Sequence, residues 1–178
     1  MQEVLALYES TGEERGRYEA LVALGHTELG LGDLPAAGAA YQAALSVAGT
    51  WRARGPIIEA TAGLARVCLL AGDVSQAQSH LAAHVADLLA GPLVNVDDPA
   101  SVYLTAYETL QRLDDPRAEL VLAAGYELLE QRAAGIATEA RRGLFLDAIP
   151  SNRRLVQAWR TCQAGSSRTS IRERAYNV

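Results

Sequence analysis

The residues in this 178-residue chain whose types could do chemistry are three histidines, two cysteines and a few acidic pairs. His80 and His84 stand four apart, a spacing that puts two imidazoles on one face of a helix and can hold a zinc ion. No glutamate follows His80 as in HExxH and no third ligand is apparent, so the pair reads as a packing feature beside Leu81 and no metal is assigned. The pairs Asp97-Asp98 and Asp114-Asp115 could suggest acid/base work, but each stands directly before a proline, Pro99 and Pro116. An aspartate there accepts backbone N–H bonds and meets the positive end of the helix dipole, so both pairs are expected to cap helices. Cys68 and Cys162 form no CxxC, which argues against a disulfide framework or zinc knuckle and for a reducing compartment.

All sixteen basic residues are arginine. Without lysine there is no Walker lysine and no Schiff-base nucleophile, and neither a GxSxG turn nor a glycine-rich phosphate loop appears. The chain is therefore expected not to be an enzyme and to need no cofactor. It is 49% hydrophobic and 21% charged, a composition too apolar for disorder. The opening "MQEVLALYES" lacks the positive charge of a signal peptide, and no apolar run approaches the roughly 18 residues of a membrane span. These features point to a cytoplasmic protein with no membrane partner, and the Ala/Gly/Leu/Arg bias to a bacterial source. Residues 1–149 carry ten Arg against twenty carboxylates, whereas residues 150–178 carry six Arg against Glu173. The acidic body disfavours nucleic acid, while Arg153, Arg154 and Arg160 leave a basic C-terminal segment as the alternative contact.

These groups must be positioned by helices, and the helices repeat. Aligned on their turns, "LGLGDLPAAGAAYQAAL", "LLAGDVSQAQSHLAAHV" and "QRLDDPRAELVLAAGYEL" put Ala37, Ala77 and Ala118 in register at spacings of 40 and 41. Each copy runs an apolar segment into a Gly-Asp or Asp-Asp turn and continues in a second helical segment, giving a hairpin repeated three times. Gly32 and Gly72 supply the positive φ that ends a helix, and Asp33 and Asp73 can cap the next. Small residues at the crossing, with Gly25 facing Ala37 and Ala65 facing Ala77, let paired helices approach, while Leu24, Leu64, Tyr41 and Leu81 fill the spaces between hairpins.

Leu24, Gly25, Gly32, Ala37, Tyr41 and Ala44 resemble the pattern of the tetratricopeptide repeat (TPR). The second copy keeps Leu64, Ala65, Gly72, Ala77 and Leu81 with His84 at a usually small position, and the third keeps Ala106, Ala118, Leu122 and Gly125. The segments "EATAGLARVCLLAGDVSQAQSHLAAHVADLL", "SVYLTAYETLQRLDDPRAELVLAAGYELLEQRAAGI" and "RRGLFLDAIPSNRRLVQAW" further resemble the C-terminal repeat region of large bacterial signalling ATPases, transcriptional regulators and cyclases. The resemblance extends to about Trp159. It implies an all-α, right-handed superhelical stack of antiparallel helix hairpins, serving as a non-catalytic scaffold for a protein or peptide partner.

One domain is expected over residues 1–163: a half repeat at 1–12, repeats at 13–50, 54–91 and 98–134, and a capping helix pair at 137–163. In the cap, Pro150 separates the helices, Ser151 or Asn152 caps the second, and Leu144, Phe145, Leu155, Val156 and Trp159 form an apolar face. The exposed half repeat suggests self-association or a missing upstream part. Residues 164–178 read as a disordered basic tail. In TPR proteins the first helix of each hairpin lines the inner groove. By register its inward positions are Val22, His26, Ala62, Arg66, Tyr103 and Tyr107, with Glu19 and Glu59 at the edge. Arg66 would then take a partner's carboxylate, the tyrosines an apolar side chain, and His26 would add pH dependence, unless these residues pack between hairpins instead.

Overall fold

The computed structural model describes residues 7–8 and 11–176, with side chains described as far as Ala164. Among the described residues every regular element is helical: α1 (Glu14–Leu31), α2 (Leu34–Trp51), α3 (Arg54–Leu70), α4 (Val74–Leu81), α5 (Val85–Ala90), α6 (Pro99–Gln111), α7 (Arg117–Ala134), α8 (Glu139–Asp147) and α9 (Pro150–Tyr176). Most of the half repeat expected at 1–12 lies outside the described residues.

The three aligned turns share one hydrogen-bond pattern. The N–H groups of Asp33, Asp73 and Asp115 each donate to the carbonyl five residues back, on Glu28, Cys68 and Leu110, at 3.0, 2.9 and 3.0 Å. This closure needs the preceding residue in the left-handed region. Gly32 and Gly72 adopt it at φ 81° and 85°, and Asp114 takes the same place at φ 52°. Each aspartate then turns to the next helix: Asp33 accepts from Ala36 N–H, Asp73 from Gln76 N–H and Asp115 from Arg117 N–H. Asp98 caps α6 alike, accepting from Ser101 N–H at 3.0 Å.

Helices pack mainly on their sequence neighbours: α1 on α2, α2 on α3, α3 on α4 and α6 on α7. Contacts of α3 with α6, and of α9 with both α6 and α7, carry the packing onward. Tyr41, only 1% exposed, sits where α1, α2 and α3 meet. A Cβ on Gly25 would lie 2.7 Å from its ring, and one on Gly63 would also collide with it. Gly25 thus makes room for a ring, where the sequence suggested a close crossing with Ala37. Gly125 does the same for Tyr103 and Leu155, at the meeting of α6, α7 and α9.

The second hairpin departs from the repeat. Its second helix stops at Leu81 and resumes at Val85, with His84 N–H donating to Leu81 carbonyl at 2.8 Å across the break. The residues Gly91 to Asp98 then form an irregular, bent connection, laid so closely on α3 that a Cβ on Gly55 would strike the Val94 carbonyl. In the cap, Leu155 and Val156 are buried, Phe145 and Trp159 pack at the edge of the core, and Leu144 is exposed. Asn152 does not cap its own helix. Its buried amide donates to the Phe145 carbonyl at 2.8 Å and so ties α9 to α8. The backbone of α9 is helical as far as Tyr176.

Candidate functional site

The residues expected to line an inner wall are mostly closed in. Val22, Glu59, Ala62, Tyr103 and Tyr107 are buried, while Glu19 and His26 are exposed. The tyrosines lose their surface because α6 is flanked by α3, α4, α7 and α9. Tyr103 hydroxyl donates to the Leu88 carbonyl at 3.2 Å, and Tyr107 hydroxyl accepts from Gln111 at 2.8 Å. They fill space between elements and offer no open aromatic anchor.

Arg66 has its carboxylate within the chain. Its guanidinium donates to Glu108 Oε2 on α6, and Arg154 of α9 reaches the other oxygen of the same carboxylate at 2.9 Å. Arg112 adds a long contact, 3.4 Å, to the Leu69 carbonyl. One half-buried glutamate therefore joins α3, α6 and α9. Of the basic cluster read from sequence, Arg154 is committed to this tie, while Arg153 and Arg160 face solvent.

Glu59 is the group that sequence placed at a groove edge and the structure places at a centre. It is 3% exposed. Its Oε1 accepts from the N–H groups of Asp97 and Asp98 at 2.9 and 3.0 Å, just ahead of α6. Tyr18 hydroxyl on α1 lies 2.8 Å from its Oε2 and 3.0 Å from the Pro56 carbonyl. Burial pushes the Glu59 carboxyl above its ordinary range, against the opposing pull of the Asp98 N–H and the phenol. The phenol has one proton and two acceptors. It can donate to ionised Glu59, or turn to Pro56 and accept from the protonated acid, so both states are satisfied.

His26 Nδ1 lies 2.9 Å from Tyr41 hydroxyl, with the rings edge to face. Although the residue as a whole is exposed, loss of solvent where the ring meets Tyr41 lowers its pKa from the ordinary value of 6.5, opposed by the charges of Asp98 and Asp97. His80 and His84 do not share a continuous helix, because the chain breaks between them. His84 Nδ1 has no hydrogen-bond partner and lies 3.7 Å from Asp87, which Arg54 also holds. Among the described residues no group of three or more His, Cys, Asp or Glu side chains is arranged to hold a metal.

Beside the partners of Glu59 lies a cleft of 130 Å³, lined by Arg15, Tyr18 and Glu19 of α1, Trp51 at the end of α2, Ala53 and Pro56 at the start of α3, and Asn95 and Asp97 of the connection. Trp51 stands edge to face with Tyr18 at 5.8 Å, and its indole N–H donates to Glu14 at 2.7 Å. Asn95 takes a left-handed turn at φ 57°, which short polar side chains tolerate. Glu59 then pins the Asp97 backbone, and the exposed Asp97 carboxylate makes no hydrogen bond or ion pair among the described residues. Arg15 pairs with Glu19 at the rim at 2.9 Å. Sequence gave no sign of this cleft, because half of it belongs to a connection outside the repeat. Comparison of the chain with protein-family models, with curated proteins and with solved structures finds no match in any of the three.

Proposed function

We propose that the chain is a non-catalytic, TPR-like helical-repeat scaffold that binds a protein or peptide, and that it serves as the interaction region of a bacterial signalling or transcriptional regulatory protein. The observation that carries the reading is the cleft between successive hairpins, where an aromatic pair and an unpaired carboxylate stand on elements fixed by Glu59. Supporting it, all three turns close with the same backbone bond from an aspartate N–H to the carbonyl five residues back, and the first two also repeat their caps at the same spacing. Polar groups that sequence offered as anchors, Arg66 and Glu59 above all, are spent on holding helices together. They give the frame rigidity, which limits the ordering cost of binding. A nucleic-acid role for the C-terminal segment is the weaker reading, since Arg154 is engaged with Glu108.

The test is selection of a displayed random-peptide library on the immobilised chain. Enriched peptides that bind one to one in calorimetry, and compete with one another, support the scaffold. A folded chain that enriches nothing above an albumin control overturns it.

A further inference from the structure

We propose that the cleft between α1, the end of α2, the start of α3 and the 91–98 connection receives one cationic side chain, a guanidinium or alkylammonium carried on an extended peptide. This rests on the peptide-binding reading and gives it a ligand class. Size comes first. At 130 Å³ the cleft falls well below the roughly 300–1,000 Å³ of pockets that enclose drug-sized ligands, and suits the head of a single side chain.

Charge selects the sign. Asp97 and Glu19 line the cleft and Glu59 lies under it, while Arg15 is its one lining cation. All three carboxylates act on the Tyr18 hydroxyl, whose pKa is raised by burial and then by Glu59, Asp97 and Glu19 in turn. Arg15 offsets part of this charge, acting on Glu19 first and then on Asp97. Its exposed i,i+4 pair with Glu19 is held weakly and its side chain is 77% exposed, so an arriving cation can displace it. Asp97 is left without an ion pair on a backbone that Glu59 holds still, so an arriving cation meets a carboxylate already in place.

Shape selects the kind of cation. The half-buried Trp51 indole, backed by the buried Tyr18 ring, forms an aromatic wall of the cleft that Asp97 also lines, and a cation set between a carboxylate and an indole gains from both. Arginine, planar and weakly hydrated, uses such a pair of surfaces best.

The experiment is a ¹H–¹⁵N titration of the 178-residue chain with acetyl-Gly-Arg-Gly-amide and, separately, acetyl-Gly-Gln-Gly-amide. The chain has two tryptophans, so the Trp159 indole is an internal control for Trp51. The arginine peptide should move the Trp51 indole signal saturably and leave Trp159 in place, while the glutamine peptide moves neither. Asp97→Asn should weaken the arginine peptide by about tenfold, the scale of one charge-assisted contact. Arg15→Gln should tighten it by about two- to threefold, because a competing cation leaves the rim. An immobile Trp51 signal, equal binding of the two peptides, or unchanged affinity in Asp97→Asn overturns the proposal. Library peptides that bind without moving Trp51 overturn the cleft and leave the scaffold standing, whereas a chain that enriches no peptide fails the scaffold first.

Discussion

Two junctions hold this molecule together by different physics. Where α1, α2 and α3 meet, the contact is dry: the Tyr41 ring lies against the bare backbones of Gly25 and Gly63 and only its hydroxyl finds a polar partner. Where α3 meets α6 and α9, the ties are directed: Glu59 gathers two backbone N–H groups and a phenol, and Glu108 gathers two guanidiniums. The first junction joins the copy that follows the repeat pattern most fully to Gly63 of the next, and there the ring and its notch fit by shape. The second spans a broken helix and an eight-residue connection from Gly91 to Asp98, where hairpin-on-hairpin packing is interrupted and polar groups restore the register.

The comparison breaks most visibly at Tyr41. Tyr41→Ala should cost about 3–5 kcal/mol in urea unfolding, the range for removing a buried aromatic ring and leaving its cavity. Because the notch and the ring fit each other, Gly63→Ala with Tyr41→Leu should cost less than the two changes separately. Strict additivity would show that ring and glycine are not coupled.

Glu59→Ala should cost about 1–3 kcal/mol, since it leaves the N–H groups of Asp97 and Asp98 and the buried Tyr18 hydroxyl without their carboxylate acceptor. Its signature should be local, with limited proteolysis opening the 91–98 connection first. Glu59→Gln separates charge from hydrogen bonding, because its amide can accept from the N–H pair and donate to Tyr18 oxygen. The folded carboxyl holds its proton above the ordinary value of 4.5. Between that value and its raised folded value, the native state keeps a proton that the unfolded chain releases. Wild-type stability should therefore fall as pH rises through this window and level off above it, while Glu59→Gln lacks that slope. A parallel pH profile for the two proteins would show that Glu59 titrates normally.

The Glu108 tie should be unequal. Arg66, with 18% of its side chain exposed, should cost about 2 kcal/mol on replacement by alanine, whereas Arg154, at 46%, should cost less than about 1 kcal/mol. Double-mutant cycles of each with Glu108→Gln measure both couplings, and a larger value for Arg154 would reverse the assignment. The smallest expected change is a gain. Asp114 occupies the left-handed place that glycine holds in the other two turns. Asp114→Gly should relieve that backbone cost and stabilise by about 0.5–1 kcal/mol, read as a rise in the urea midpoint.

Local structure was the legible part. Gly32, Gly72, Asp33 and Asp73 announce their turns because the residue type itself fixes the backbone and the cap, with no distant neighbour needed. Alignment on those turns also found the third, although its left-handed residue is an aspartate. What escaped was everything that depends on a residue from another hairpin. Glu59 and Arg66 look like groove residues when only their own helix is considered, and their partners lie 38 to 42 positions further along. The break at His84 removed the zinc spacing that helix periodicity suggested, and the connection that follows carries half of the cleft without any repeat to predict it.

The Glu59 tie also sets how the packed helices can separate. Here the amides of Asp97 and Asp98 stand in a surface connection, yet their acceptor is a buried carboxylate on another helix. Their exchange with solvent should stay slow while they remain bonded to Glu59, so two loop amides would report when the 91–98 connection lifts from α3.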